Sequence, residues 1–481
     1  MTDEYDLIVL GGGPVGENIA DRAVQGGLTA VIVENELVGG ECSYWACTPS
    51  KALLRPILAL HAAKHVRGVS GGELDPKEVF ARRDAYVARW SDAGQVDWLN
   101  DAGIDLVRGY GRISAEREVT VSTADGERML RARHAVAVAT GSEPTMPPIP
   151  GLAQSQPWTS REATSAEQVP ESLAIIGGGV VAVEMATVFA GLGSKVTVLA
   201  RSGLLGGMES FAGEQVAKGL REMGVDVRLH TDTVDVRRDE DGVTVVTGGA
   251  GAEEITATEV LVATGRRPRS ADIGLDSVDV GDADLGGAGL EPGKAMPVDD
   301  TMLVRGTDWL YAVGDVNGRA LLTHQGKYQA RAAGDVIVAR SRGEVVADQP
   351  WGRHVASADH CAVPQVVFTD PEVASVGLTS DAASAAGHRI EVIDHELGAV
   401  SGAALHADHY SGRARMIVDT DREVVLGVTF VGPDVAEMLP AATIAVTAEV
   451  PISRLWHAVP AYPTMAEIWL RLLEAYGRQS A

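Results

Sequence analysis

The pattern Gly11-x-Gly13-x-x-Gly16 stands between an apolar run, Tyr5-Asp6-Leu7-Ile8-Val9-Leu10, and a helix-compatible stretch to about Gln25. A second apolar run follows, Leu28 to Val33, and ends in Glu34. Short apolar runs flanking a helix read as buried parallel strands, so this is a βαβ unit. Its first glycine permits a tight turn, its second lets a pyrophosphate approach the backbone, and its third lets the helix pack on the sheet. The helix N-terminus then faces the phosphates. Glu34, 23 residues after Gly11, is placed for ribose hydroxyls. A glycine turn in an ordinary α/β domain needs no such acid. Strand, turn, helix and acid together point to a bound dinucleotide.

The arrangement returns further on. Leu173 to Ile176 reads as a strand, Gly177-x-Gly179-x-x-Ala182 as the turn, and Lys195 to Leu199 as the next strand after a helix. The same count of 23 from Gly177 falls on Ala200, followed by Arg201. An acid there would hold a 2′-hydroxyl. Its absence beside Arg201 leaves room for a 2′-phosphate and favours NADPH over NADH; a solvated turn residue is the plainer alternative for Arg201. Each unit closes on a strand that stops at Thr-Gly, Ala137 to Gly141 and Leu261 to Gly265.

At 481 residues the chain has room for two to four domains of ~100–200 residues. With 45% hydrophobic and 22% charged residues it is globular, not disordered. A formal net charge of −25 repels phosphate backbones, which excludes nucleic acid as a partner. The longest stretch free of Asp, Glu, Lys and Arg, 144–160, holds five prolines and is no membrane span. Asp3, Glu4 and Asp6 are the wrong charge for a secretory signal, and three cysteines make no secreted disulfide framework, so a cytoplasmic location is expected. The Pro-rich segment 144–150 reads as a linker. Residues 270–300, acidic and glycine-rich, read as a solvated connection. The tail from about 350 mixes alternating strands, such as Val363 to Phe368, Ala414 to Val418 and Val424 to Val431, with helices. A helix over Met438–Ala448 is apolar on most faces, which suits a core or an interface.

Cys42-Ser43-Tyr44-Trp45-Ala46-Cys47 follows Glu34 closely. Five residues of ideal helix rise about 7.5 Å. Disulfide Cα atoms lie about 4.4–6.8 Å apart, so the pair bridges only across a distorted turn. Thr48-Pro49-Ser50 suggests a fresh helix start, whose N-terminus lowers a nearby thiol pKa. A zinc site is disfavoured because no second Cys or His pair stands at ligand spacing. Two unrelated buried cysteines remain the alternative from spacing alone.

Gly39-Gly40-Glu41-Cys42-x4-Cys47-Thr48-Pro49-Ser50-Lys51 resembles the redox signature of the flavin-dependent pyridine nucleotide-disulfide oxidoreductases, the class I family of glutathione reductase, dihydrolipoamide dehydrogenase, mycothione reductase and mercuric reductase. Leu310-Tyr311-Ala312-Val313-Gly314-Asp315 looks like its second FAD motif, and Pro364 to Glu372 like the opening of its dimerisation domain. The resemblance implies an α/β fold with two doubly wound dinucleotide-binding domains, for FAD and NAD(P), and a C-terminal α+β dimerisation domain. The divisions it suggests are 1–150 and 271–348 for FAD, 151–270 for NAD(P), and 349–481 for a homodimer interface. It implies a relay from reduced nicotinamide through FAD to a Cys42–Cys47 disulfide. Cys47 would be the flavin-proximal thiol and Cys42 the exposed one that attacks substrate. Lys51 and Glu184 would pair beside the flavin. The cofactor-binding positions carried over are Gly11, Gly13, Gly16, Glu34, Gly40, Lys51, Gly111, Thr140, Gly141, Ser142, Gly177, Gly179, Glu184, Arg201, Gly265, Gly314 and Asp315. No metal is implied.

The match fails at one place. The family ends in His-Pro-Thr-x-x-Glu, where the His serves the partner's cysteines and the Glu orients it. Here the run is Tyr462-Pro463-Thr464-Met465-Ala466-Glu467. A phenol of pKa ~10 donates a proton but is a poor base at neutral pH. His457 stands five residues off the Pro-Thr turn and reads as a surface or core histidine. Tyr44 and Trp45 are bulkier than the family's usual residues between the cysteines. The lack of an added metal-binding domain and of a second cysteine pair argues against mercuric reductase and the large thioredoxin reductases, and Cys361 reads as a lone core residue. Three readings follow: reduction of a small-molecule disulfide, reduction of a quinone or other non-disulfide acceptor, and a non-catalytic redox sensor or complex subunit.

Overall fold

The computed structural model of the chain describes residues 3–249, 251–280 and 289–478. They form two compact units, each discontinuous in sequence. One comprises 1–49, 84–145 and 266–359, the other 50–83, 146–265 and 360–481.

In the first unit, Asp3–Leu10 lies between Ala30–Glu34 and Gly126–Val138, all parallel, and Asp105–Arg108 continues the sheet beyond Ala30–Glu34. Leu10 pairs with both Val33 and Val138. Leu7, Ile8 and Val9 are wholly buried, as a central strand covered on both faces requires. The first half of Gly126–Val138 pairs antiparallel with Glu118–Thr123, which turns back onto Tyr110–Ala115. Its last three residues take Leu310–Ala312 as a parallel neighbour. The strands ending at Leu10, Glu34, Val138 and Ala312 thus share one carboxyl edge, where open α/β sheets bind ligands.

The helices Pro14–Gln25 and Thr323–Ser341 pack closely because of two glycines. A Cβ at Gly326 would lie 2.6 Å from Val15 Cγ2, and one at Gly334 would lie 2.6 Å from Arg22 Cβ. The acidic connection over 270–300 is less solvated than its composition suggests. Ile273, Leu275, Met296 and Val298 enter the core, and Ile113 N donates to Ile273 O at 2.8 Å. The apolar residues scattered among its acids and glycines make these contacts; 281–288 lie outside the described residues.

The second unit holds a four-stranded parallel sheet in the order Asp226–Arg228, Lys195–Leu199, Ser172–Ile176, Glu259–Val262. A three-stranded antiparallel sheet over Thr233–Asp239, Gly242–Thr247 and Glu254–Ala257 accompanies it. Its C-terminal part is a five-stranded antiparallel sheet with Val424–Gly432 buried at the centre. The helix Leu439–Thr447 packs on this sheet. It is buried through Leu439, Ala442, Ala445 and Val446, yet Ile444 is 65% exposed. Burial on most faces does not hold within one chain. Among the described residues, no helix is long and apolar enough to cross a membrane.

Candidate active site

The first glycine turn is shaped for a dinucleotide. Gly11 has φ +105°, and a Cβ there would lie 2.5 Å from Ala139 O. At Gly16 a Cβ would lie 1.9 Å from Gly11 O, so only glycine lets the helix seat against the turn. Gly13 is different: its nearest neighbour to an added Cβ is Gly40 Cα at 3.9 Å, which leaves the helix N-terminus open to a phosphate. Glu34 is buried at the end of its strand. Its carboxylate accepts from Gly12 N and Glu36 N, both at 2.7 Å, and so ties the turn to the second strand. Gly40 closes against Gly13, where a Cβ would meet Gly13 Cα at 2.8 Å. Gly111 has a packing reason: a Cβ would meet Leu10 Cδ2 at 2.8 Å and Val33 Cγ1 at 3.0 Å.

The same unit brings the second motif to this edge. Gly314 has φ +78°, and its N donates to Gln329 Oε1 at 2.8 Å. Asp315 accepts from Ser142 Oγ at 2.6 Å. Burial pushes the Asp315 carboxyl up, and the Ser142 bond opposes it. Arg266 Nε donates to Ser142 Oγ at 2.8 Å, and Thr140 Oγ1 donates to Arg269 O at 2.6 Å. Gly141, at φ +74°, accepts from Arg269 N at 3.0 Å. The cradle of close glycines, the open Gly13 and the carboxylates at two strand ends fit FAD.

The thiols stand in the same unit. Cys42 lies in the short helix Gly40–Tyr44, which breaks at Trp45 (φ −136°), and a new helix, Cys47–Lys64, begins at Cys47. The break supplies the distortion that the spacing demands. No disulfide joins the two here. Thr323, first residue of the helix Thr323–Ser341, donates from Oγ1 to Cys42 Sγ at 3.1 Å and lies 3.4 Å from Cys47 Sγ. The hydrogen bond to Cys47, together with burial, pushes the Cys42 thiol up rather than down. Cys47 at its helix start is exposed, and Cys42 is half-buried. Cys42 is tucked into the short helix with Thr323 against its sulfur.

In the second unit, Gly177 has φ +136°, and a Cβ would lie 2.2 Å from Ala263 O. Gly179 and Gly265 (φ +119°) meet nothing within 4 Å. This is again a tight first glycine and an open second. Ala200 is buried at the end of its strand, whereas Arg201 is exposed and forms no side-chain hydrogen bond or ion pair with a described residue. Lys51 Nζ lies 2.7 Å from Glu184 Oε2, and Glu184 Oε1 accepts from Phe368 N at 3.1 Å. The ammonium also stands 4.9 Å from the centre of the Phe368 ring.

No hydrogen bond joins Tyr462 and Glu467 among the described residues. Tyr462 is 75% exposed, precedes a cis bond to Pro463, and makes no hydrogen bond with a described residue. Glu467 is buried and accepts from Arg471 Nη2 at 2.6 Å; its Oε2 is buried without a partner. The carboxylate sits at the start of the helix Ile468–Tyr476 and pairs with Arg471 one turn along it. Cys361 is half-buried and His457 exposed. Among the described residues, no group of three or more His, Cys, Asp or Glu side chains could hold a metal ion. Thr323, Gln329, Ser142's partner Arg266 and Phe368 were not legible as site residues. The nearest signal is Thr323 eight residues past Asp315, at the start of a helix.

Two nucleotide-binding sheets, a dithiol at a helix start and an antiparallel C-terminal domain define a flavoprotein dithiol oxidoreductase. The family model for pyridine nucleotide-disulphide oxidoreductases matches residues 5–335, and that for the family's dimerisation domain matches 363–472. The dihydrolipoyl dehydrogenase of Thermus scotoductus is 32% identical, covering 99% of this chain and 98% of that one. That of Haloferax volcanii is 33% identical over 98% and 95%. The mercuric reductase of Shigella flexneri is 32% identical over 96% of this chain and 79% of its own length. In fold, the HOCl-induced flavoprotein disulfide reductase RclA from Escherichia coli, as its Cu(II) complex, matches with TM-score 0.81 at 24% identity, over 98% of this chain and 99% of that one. The chain belongs to the pyridine nucleotide-disulphide oxidoreductase family, and it is an FAD-dependent NAD(P)H disulfide oxidoreductase.

Proposed function

We propose that the chain is an NADPH-preferring reductase of a small-molecule disulfide, working as a cytoplasmic homodimer. The observation that carries this reading is the dithiol: Cys42 and Cys47 share one hydroxyl, Thr323, at the helix start. FAD, when bound, supplies two-electron exchange between reduced nicotinamide and these thiols.

Around it the chain's residues have separate tasks. The segments 1–150 and 271–348 hold FAD, with Gly11, Gly13 and Gly16 receiving the pyrophosphate, Glu34 the ribose, and Asp315 the ribityl chain; Gly40, Gly111, Thr140, Gly141, Ser142 and Gly314 shape that cradle. The segment 151–270 holds the nicotinamide nucleotide through Gly177, Gly179 and Gly265. Arg201, exposed and without a side-chain partner among the described residues, takes the 2′-phosphate. Lys51, held by Glu184, places a cation where reduced flavin carries negative charge. Cys47 at its helix start favours the thiolate and Cys42 attacks substrate. The segment 349–481 forms the dimer, where exposed Ile444 suits a partner surface. Tyr462 stands where the family has His. It donates a proton to a leaving thiolate, with Glu467 five residues on.

Anaerobic titration with NADPH, then reoxidation by a panel of disulfides and quinones, tests the reading. A long-wavelength thiolate-to-flavin band and fast reoxidation by one disulfide support it. Tyr462 in place of the family's His favours the second reading, electron delivery to a quinone-type acceptor, in which no base is needed. Absence of turnover with either class would leave the sensor or complex-subunit reading.

A further inference from the structure

We propose that Asp359 is a positioning residue for FAD: by holding the Gln329 amide in one orientation, it fixes the turn Gly314–Asn317 that carries Asp315. The inference goes beyond the question of the acceptor and rests on the reading of Asp315 as a ligand of the ribityl chain.

Gln329 is wholly buried on the helix Thr323–Ser341. Its Oε1 accepts from Gly314 N and from Asn317 Nδ2, both at 2.8 Å, so it spans the first and last residues of the turn. Asn317 Nδ2 also donates to Ala312 O at 3.1 Å, and Asn317 Oδ1 accepts from Arg319 N at 3.0 Å. Gly314 is buried at φ +78°, and its N–H is met by a side-chain amide rather than by a strand or helix partner. The place of Asp315 therefore depends on which end of the Gln329 amide faces the turn.

A side-chain amide has an acceptor end and a donor end of nearly the same shape. Turned over, Gln329 would set its NH2 against two donors, Gly314 N–H and Asn317 Nδ2–H. Asp359 prevents this. Its side chain, 1% exposed, lies in the short helical turn Ser357–His360. It accepts from Gln329 Nε2 at 2.8 Å through Oδ2 and from Gln325 Nε2 at 2.7 Å through Oδ1. The two glutamines stand four residues apart and so share a helix face. Arg319 Nη1, 3.6 Å from Asp359 Oδ2 and 2.9 Å from Asp300 Oδ1, gives the buried charge a counter-ion. An ionised carboxylate only accepts, so both glutamines turn their NH2 groups toward it, and Gln329 turns its oxygen toward Gly314. Asparagine at this position would have the same shape but one acceptor for two donors.

The test reads flavin retention and needs neither nucleotide nor acceptor. FAD release from the loaded enzyme is followed by recovery of flavin fluorescence, and the melting temperature is taken alongside. Asp359→Asn should release FAD about 10- to 100-fold faster, the worth of one hydrogen bond to a charged group. Adding Gln325→Glu should bring release back to within about threefold of the parent. The new carboxylate at 325 then accepts from the new amide at 359, whose oxygen is left to accept from Gln329 Nε2. Packing alone predicts no such recovery, because asparagine already matches aspartate in shape. A folded Asp359→Asn that keeps FAD like the parent overturns the inference, whatever its melting temperature, as does a double variant no better than the single. Should the single variant not fold, flavin retained by the double variant supports the inference and flavin lost from it overturns the inference. Asp315→Ala tests the reading beneath. Faster release there with a failed swap defeats the inference alone; unchanged release there defeats the Asp315 reading and the inference with it.

Discussion

Lys51 Nζ meets Glu184 Oε2 at 2.7 Å across 133 residues of sequence, and the two partners are unequally buried. Glu184 is 3% exposed, while the Lys51 side chain is about a third exposed. Lys51→Met therefore strands a buried carboxylate with only Phe368 N to hold it. Glu184→Gln keeps an acceptor for that N–H and leaves an ammonium that water reaches. Lys51→Met should lower stability by about 2–4 kcal/mol in a urea titration, and Glu184→Gln by less than about 1.5. Both should slow flavin reduction by NADPH. Equal losses of stability would show that burial does not govern the pair.

The two glycines of the first turn should separate fold from cofactor. Gly16→Ala places a Cβ 1.9 Å from Gly11 O, so the helix must move. Gly13→Ala fills open space instead. Gly16→Ala should yield misfolded or colourless protein. Gly13→Ala should melt within a few degrees of the parent as apoprotein and bind FAD at least about tenfold more weakly, by ~1.4 kcal/mol or more. Fluorescence titration of apoprotein with FAD distinguishes them.

Glu17, directly after that turn, gives a pH dependence. Burial pushes its carboxyl up to about 7, and its Oε1 is buried without a partner. A carboxyl raised in the folded state stabilises fully below its unfolded pKa. That contribution is lost as pH rises through the folded value. Between pH 4.5 and 7 the parent should therefore lose stability that Glu17→Gln keeps. Lys327 and partial exposure temper the effect to roughly 2 kcal/mol at pH 8. Melting curves at pH 4.5 and 8 check this; a Glu17→Gln advantage at both pH values would point to packing.

The glycine turns were legible because a single backbone requirement fixes them: a Cβ at Gly11, Gly16 or Gly177 would strike a carbonyl oxygen. Strand bounds shifted by a residue or two, as with Val363 to Phe368, whose paired part is Gln365–Val367. Family motifs carried Lys51 and Glu184, since nothing local joins residues on two distant helices. Thr323 escaped notice because it reaches Cys42 across 281 residues and only the packed fold places it there. Tyr462 and Glu467 are neighbours by motif, yet no hydrogen bond joins them among the described residues. The carboxylate instead finds Arg471 one helical turn away, where an i,i+4 pair forms without help from the loop.

Arg201 is the test of nucleotide choice. It follows buried Ala200 at the strand end and has no side-chain partner among the described residues. Arg201→Ala should raise the KM for NADPH roughly 5–150-fold, the worth of a charge-assisted phosphate contact, and leave NADH nearly unchanged. Steady-state kinetics with both nucleotides decide it. Equal use of both by the parent would show that the missing acid carries no information.

Tyr462 decides between acceptors. Disulfide turnover needs a proton for the leaving thiolate and later a base, and a phenol does the second task badly. Flavin reduction should then outrun thiol exchange in the parent. Tyr462→His should speed disulfide reduction and leave flavin reduction by NADPH almost unchanged. Positioned acid–base catalysis is typically worth ~10²–10⁴-fold, so even a partly placed imidazole should register. At 75% exposure and with no hydrogen bond to a described residue, Tyr462 leaves room for the ring, and Glu467 is held by Arg471. Adding Arg471→Gln should free that carboxylate and increase the gain from Tyr462→His. Stopped-flow traces of both half-reactions in the single and double variants measure this. If disulfide turnover stays flat in both while the parent reduces quinones rapidly, and Cys42→Ser leaves quinone turnover intact, the electrons leave without passing through the dithiol.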